Sequence, residues 1–133
     1  MTINPFEAIR QDFTRALERL DEVLILEKTE IIRDSAVKRF EFTFDPAWKA
    51  LKAYLEQEKG IICASPKDCL REAFRQSVLE DDPFWLDIVN LRNDAVHAYD
   101  EEIAERVYAA LPEVARRFRV LLTKIEKTSE GSL

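Results

Sequence analysis

Along the first 24 residues, apolar side chains recur every three or four positions, which is the period of an α-helix with one buried face. Charged residues fill most positions between them. Asn4 can cap the first turn, and Pro5 suits the first helical position. The pattern therefore predicts an amphipathic helix of about five turns, with an apolar stripe made of Phe6, Ile9, Phe13, Ala16, Leu17, Leu20, Val23 and Leu24.

The next segment allows two interpretations. The residues RFEFTFD, 39–45, alternate polar and aromatic positions, as a half-buried strand does. A helical stripe fits the same region equally well, through Val37, Phe40, Phe44, Ala47, Leu51 and Tyr54. Because a lone strand would find no partner in this chain, we expect one long helix from about Asp34 to Glu58. Pro46 should kink it, since its nitrogen cannot donate a hydrogen bond and its ring crowds the preceding turn.

Two further helix starts are marked by a capping residue placed directly before a proline. Ser65 precedes one such proline and Asp82 precedes the other. The first should begin a short helix that runs to about Val78. The second should begin a helix that continues to Val96.

The last helix is expected to begin after Asp100, a further candidate cap, with two glutamates in its first turn facing the positive end of the helix dipole. Pro112 should kink or split this helix near Tyr108. Residues 128–133 are expected to form a flexible tail. The patterns together predict an all-α protein: an up-and-down bundle of about five helices in one domain, residues 1–127.

Composition narrows the classes of function. The chain has 133 residues, only two glycines and a net charge of −6, so it lacks the overall basic character of most nucleic-acid binders. Any contact with nucleic acid must come from a local cluster or a groove between copies. The N-terminus lacks the basic start and apolar run of a signal peptide, and no apolar stretch approaches the roughly 18 residues of a membrane span. We therefore expect a cytoplasmic protein without membrane contact.

The two cysteines do not predict a metal site. Cys63 and Cys69 form a C-x5-C pair, which is neither a zinc spacing nor a thioredoxin spacing. With one histidine in the whole chain, a four-ligand site would need carboxylates in no evident pattern. We expect two small thiols, buried or half-buried, with no metal and no cofactor.

A second apolar face on the long helix indicates a homodimer. Phe42, Trp48 and Leu55 lie off its main stripe. A bundle of this size has room for one core, so a second apolar face is expected to pack against another copy of the chain.

The stretch LRNDAVHAYDEE, residues 91–102, contains the single histidine. His97 should lie near the C-terminal end of the fourth helix, on the same face as Asn93, with Arg92 reaching round from the side. A helix C-terminus favours the imidazolium form, which suits acid–base work near neutral pH. Taken alone, a solitary histidine in this position is more often a satisfied polar residue. The chain offers it no placed nucleophile and no glycine-rich phosphate loop.

His97 follows Arg92 after four intervening residues, and Tyr99 follows His97 after one. This spacing resembles the R-x4-H-x-Y motif of HEPN-domain proteins. The flanking sequence resembles the nucleotidyltransferase substrate-binding-protein branch, which is related to the HepT toxins. The resemblance extends from about Phe6 to Ile125, and its blocks are RFEFTFDPAWKALKAYL, DCLREAF and WLDIVNLRNDAVHAYDEEIAERVY. It also favours the long helix over the strand.

This resemblance implies a HEPN-like homodimer partnered by a small cognate nucleotidyltransferase. It implies a metal-independent endoribonuclease, with RNA as substrate, whose composite site contains Arg92, Asn93 and His97 from two copies. RNA supplies its own nucleophile, the 2′-hydroxyl, so the protein needs a proton acceptor, a proton donor and a cation. The resemblance further implies that the transferase silences the toxin by adding AMP to Tyr99.

Three functions remain open at this point: a toxin silenced by its transferase, a non-catalytic substrate-binding subunit of that transferase, and a purely structural helical dimer. The acidic surroundings of the motif weigh against RNA, because they include Asp94, Asp100, Glu101 and Glu102. Two basic runs could balance them, although such runs are usually solvated faces: Lys67, Arg71 and Arg75, and Arg116, Arg117 and Arg119.

Overall fold

The computed structural model describes the backbone of residues 4–131 and the side chains of residues 4–126. Within that range the chain forms five α-helices and no strand, which confirms the predicted all-α bundle. Their bounds are α1 Pro5–Leu24, α2 Glu30–Lys59, α3 Pro66–Arg75, α4 Phe84–Ala95 and α5 Glu101–Gly131. The proposed tail, 128–133, falls outside the residues whose side chains are described and stays a prediction.

The disputed segment 39–45 is helical, as expected, and lies inside α2. The helix starts earlier than predicted, because Thr29 accepts a hydrogen bond from the Ile32 amide at 3.0 Å and so caps the first turn. It ends at Gly60, whose φ of 66° is left-handed and favours glycine. Pro46 lies within the unbroken helix, and the kink expected there stays a prediction.

Three of the four predicted caps are confirmed. The side chains of Asn4, Ser65 and Asp100 each accept a hydrogen bond from a backbone amide at the start of a helix. At α4 the N-cap position is Pro83 and not Asp82, although the Asp82 side chain accepts a hydrogen bond from the Phe84 amide at 3.0 Å. Each start satisfies an amide that has no partner within the helix.

One expected helix end was wrong. α3 ends at Arg75 instead of near Val78, because Ser77 adopts a left-handed φ of 56° that the helix cannot accommodate. At Pro112 we expected either a kink or a split: α5 is continuous there, so the split does not occur, and the kink stays a prediction. A proline removes one hydrogen bond from a helix, and the packing of α5 against α1, α2 and α4 compensates for it.

The core is built mainly where α1, α2 and α5 pack together, while α3 and α4 pack against the outer parts of the bundle. At its centre, Phe118 contacts Phe13 edge to face at 5.9 Å between ring centroids and stacks on Phe40 at 6.4 Å. All three rings are buried. This central packing fixes α2 relative to α5, and the turn before α5 carries the motif.

The second apolar face of α2 is smaller than the sequence indicated. Leu55 is fully buried in the single core, so its assignment to an outer face was wrong. It faces inward because it lies four residues after Leu51 and therefore falls on the same stripe of α2. Trp48 is half-buried, and Phe42 remains 61% exposed.

The expectation of two free thiols was also wrong. Cys63 and Cys69 are buried, as predicted, but they form a disulfide, with their Cα atoms 5.3 Å apart. Ser65 caps α3, and Cys69 lies at the end of the first turn of that helix, close enough to Cys63 for the bond to form. Across the described helices, no segment is both long and apolar enough to cross a bilayer.

Candidate functional site

The motif lies where α4 gives way to α5. α4 ends at Ala95, so His97 is in the connecting turn and not on the helix, where the sequence placed it. Its amide donates to the Asp94 carbonyl at 2.9 Å, and its own carbonyl accepts from the Asp100 amide at 3.0 Å. These bonds form two consecutive tight turns and hold the backbone of His97 in place.

The side chains of His97 and Tyr99 meet above this turn. His97 Nδ1 lies 3.4 Å from the Tyr99 hydroxyl, and the two rings are edge to face at 5.9 Å between centroids. Either atom can donate, depending on the histidine tautomer. Tyr99 is 86% exposed and is therefore not an ordinary packed aromatic at a helix boundary. Both polar groups are accessible to a partner.

Arg92 and Asn93 lie in the last turn of α4, and both are exposed. The Arg92 guanidinium sits over the Phe44 ring, 5.9 Å from its centroid. No carboxylate in residues 4–126 forms an ion pair with Arg92, so its charge is not neutralised within the described chain. The structure thus brings His97 against Tyr99 directly. It places Arg92 and Asn93 one turn earlier, without a hydrogen bond to His97.

The acidic residues around the motif are largely engaged elsewhere. Arg106 binds the Asp94 carboxylate at 3.0 Å. The Asp100 side chain accepts from the Ile103 amide as the cap of α5. Glu101 receives two hydrogen bonds from Arg33, at 2.7 and 3.0 Å. Three of the four acids that weigh against RNA in the sequence are therefore committed to the fold.

Arg33 is the centre of that neutralisation, and sequence reasoning missed it. Its side chain is buried yet contacts Glu101, Glu105 and Asp34. The hydrogen bond with Glu101, followed by that with Glu105, raises the pKa of Arg33. Arg33 holds the pKa of Glu101 below its usual value, while Lys28, followed by Arg33, does so for Glu105. A signal existed in the sequence, because Arg33 lies four residues before Val37 on the apolar stripe of α2.

The basic runs considered as counterweights are mostly engaged as well. Five of the six residues pair with carboxylates: Arg71 with Asp68, Arg75 with Glu72, Arg116 with Glu113, Arg117 with Asp82 and Glu113, and Arg119 with Asp21. Lys67 is exposed and forms no ion pair within residues 4–126. Neighbouring carboxylates therefore neutralise five of the six charges, and Lys67 is the exception.

Lys67 belongs to an open cleft beside the motif, which the sequence did not reveal. α2, α3 and α4 form it, and its wall includes Phe44, Trp48, Lys67, Val89, Arg92 and Asn93. Among the described residues, no group of three or more histidines, cysteines or carboxylates is placed to hold a metal ion.

Known proteins resemble this chain in sequence and in fold. Residues 8–127 match the family model described as "Nucleotidyltransferase substrate binding protein like". The chain is 30% identical over 99 residues to the probable ribonuclease HepT of Haemophilus influenzae, an overlap of 71% of this chain and 68% of that protein.

Two solved structures share the fold. A protein from Thermus thermophilus is 37% identical, with a TM-score of 0.82 over 85% of this chain and 98% of its own. A Haemophilus influenzae protein, described as having the fold of a substrate-binding domain of a nucleotidyltransferase, has a TM-score of 0.65 over 91% of this chain and 96% of its own. At 24% identity, the second likeness concerns the fold alone.

Proposed function

The chain belongs to the nucleotidyltransferase substrate-binding-protein-like family, and from that premise we propose that it is the HepT-like toxin of a toxin–antitoxin pair. In this proposal it is a metal-independent endoribonuclease, partnered and silenced by a small nucleotidyltransferase. One observation carries the proposal: Arg92, Asn93 and His97 are exposed, Arg92 has no carboxylate partner among the described residues, and the accessible Tyr99 hydroxyl lies beside His97.

The proposed chemistry uses groups that the motif supplies. One His97 takes the proton from a ribose 2′-hydroxyl as that oxygen attacks the adjacent phosphorus. A second His97 gives a proton to the departing 5′-oxygen as the P–O bond breaks. Arg92 stabilises the charge that develops on the phosphorane oxygens. One proton is removed and one is added, so this reaction does not need a metal-bound hydroxide.

Because each chain has one histidine, the proton acceptor and the proton donor must come from two copies. The proposal therefore includes a homodimer in which two motifs meet. Support comes from Val96, an apolar side chain in the motif that is 55% exposed and available for a contact between copies.

Tyr99 supplies the means of silencing. Its phenolic oxygen attacks the α-phosphorus of ATP in the partner's active site, pyrophosphate leaves, and the phenolic proton passes to a base there. The added AMP brings negative charge and bulk within a few ångströms of His97, which repels an RNA phosphate and blocks its approach.

A second candidate keeps the same partner without catalysis. The family description and the net charge of −6 favour a subunit that presents substrate to the transferase. Both functions need the partner, but only the toxin needs His97 as an acid–base group.

The growth of cells that express the protein distinguishes the toxin from the substrate-binding subunit. We expect the wild-type protein to arrest growth without its transferase, whereas His97→Ala and co-expression with the transferase both restore growth. If wild type and His97→Ala, produced in equal amounts, allow equal growth, the toxin is excluded and the substrate-binding subunit is favoured.

A further inference from the structure

The cleft beside the motif combines aromatic surface with unneutralised positive charge. Arg92 and Lys67 both line it, and neither forms an ion pair with a carboxylate in residues 4–126. The cleft also contains one carboxylate, that of Asp45, which Lys49 neutralises at 3.0 Å. The net character of the cleft is therefore cationic, although the chain as a whole is acidic.

Its aromatic surface is already fixed in position. Trp48 is half-buried and packs against the core, so part of the indole remains available. Lys52 Nζ lies 5.8 Å from the centre of that ring and adds a further cation nearby. The Phe44 ring, deeper in the wall, carries the Arg92 guanidinium. A ring held by core contacts loses little freedom when a flat ligand stacks on it.

The opposite rim is also restrained. Lys67 lies in the second position of α3, between the bonded cysteines Cys63 and Cys69 in the chain. The disulfide joins the segment before α3 to the helix itself. The loop closed by the disulfide therefore restricts the position of Lys67 relative to Trp48 and Arg92.

We infer that this cleft binds one nucleotide unit of single-stranded RNA, with the base stacked on Trp48 and the phosphate held by Lys67 and Arg92. Aromatic stacking surfaces combined with cations are how proteins bind single strands without reading their sequence. The inference rests on the proposed function, because it supplies the substrate-binding part of that site. Arg92 and Asn93 in the cleft wall precede His97 by about one helical turn, and in this proposal a strand seated in the cleft continues toward the histidine.

The test measures the binding of a fluorescently labelled single-stranded oligoribonucleotide to full-length His97→Ala protein, which prevents cleavage during the titration. Trp48→Leu should weaken binding by about tenfold or more, while Trp48→Phe, which keeps an aromatic face, should retain most of the affinity. Lys67→Ala should make the negative slope of log affinity against log salt shallower by about 0.7, the value of one phosphate contact on a single strand. Trp48→Leu should leave that slope unchanged.

Lys124→Ala is the matched control, because Lys124 is an exposed lysine on α5 that does not line the cleft. Thermal melting of each variant verifies that it is folded. Unchanged affinity in Trp48→Leu together with an unchanged salt slope in Lys67→Ala would overturn the inference. A free nucleotide shares the ligand chemistry, so ATP is titrated in parallel. If ATP binds with the same dependence on Trp48 and Lys67 while RNA does not bind, the assignment to RNA is overturned.

Binding and cleavage measurements together test RNA binding in the cleft independently of the proposed ribonuclease activity. RNA that binds through Trp48 and Lys67 but is not cut by the wild-type protein would refute the ribonuclease and leave the cleft standing. Conversely, RNA cleavage with the same KM in wild type, Trp48→Leu and Lys67→Ala would support the ribonuclease and refute the cleft.

Discussion

Two arginines near the acidic run 100–102 have opposite surroundings. Arg33 on α2 is 4% exposed and is hydrogen-bonded to Glu101, Glu105 and Asp34. Arg92 on α4 is exposed, rests on the Phe44 ring, and has no carboxylate partner among the described residues. The first charge is used to attach α2 to α5, whereas the second remains available for a ligand.

This difference changes how the negative charge of the chain should be interpreted. Counted along the sequence, the acids beside the motif argue against an RNA phosphate. In the fold, Glu101 is bound by Arg33 and Asp94 is bound by Arg106. Charges that are paired at short range project little field to a ligand. The local surface of the motif, and not the net charge, therefore determines what it can bind.

The largest loss of activity is expected from the replacement of His97, which should affect RNA cleavage strongly and stability very little. His97→Ala should lower the rate of RNA cleavage by about 100-fold to 10,000-fold, because it removes both the proton acceptor and the proton donor of the dimer. Its melting temperature should match that of wild type, since the imidazole is exposed. Cleavage of a labelled RNA by purified protein, followed over time, checks this prediction. Retained cleavage would remove His97 from the proposed site.

Replacing each arginine by methionine tests the comparison directly. Arg33→Met should lower the melting temperature by several degrees, because Glu101 and Glu105 lose their shared partner. Arg92→Met should cost less than about 1 kcal/mol, the size of one exposed cation–π contact, yet should impair RNA cleavage strongly. Thermal melts and cleavage rates of both variants provide the measurement. An equal loss of stability in the two variants would contradict the conclusion that Arg33 stabilises the fold while Arg92 is available for a ligand.

The pH dependence of stability should show the same contrast. The pKa values of Glu101 and Glu105 are held below the ordinary value of a glutamate. Groups with a lowered folded-state pKa stabilise the fold fully above the unfolded pKa, and this contribution is lost as pH falls through the folded pKa. The stability gap between wild type and Arg33→Met should therefore be widest near neutral pH and should shrink below about pH 4.3, the unperturbed glutamate pKa. Urea denaturation at several pH values measures it, and a constant gap would disprove the linkage.

The sequence predicted the helices well because their signals are local. Asn4, Ser65 and Asp100 each cap a helix through a bond to an amide a few residues away. The features that were missed depend on distant contacts. Arg33 meets Glu101 across 68 positions, and Trp48 and Lys67 form one cleft only after α3 folds back on α2. Spacing along the chain can indicate that Arg33 is buried, but it does not identify a partner 68 positions away.

The smallest effect on the fold is expected from Tyr99, although its proposed role is regulatory. The hydroxyl of this exposed side chain makes one long contact of 3.4 Å with His97, so Tyr99→Phe should change the free energy of unfolding by less than about 0.5 kcal/mol. Incubation of the wild-type protein with its cognate transferase, ATP and magnesium should increase the intact mass by one or more AMP units, and Tyr99→Phe should keep its original mass.

Tyr108→Phe is the control, because Tyr108 is partly buried against the core with Lys28 over its ring and is not accessible in the same way. A wild-type mass that does not change, or AMP addition that persists in Tyr99→Phe, would show that silencing does not act through this residue. AMP addition confined to Tyr99 would mean that the partner controls the protein through an exposed residue that contributes little to the fold.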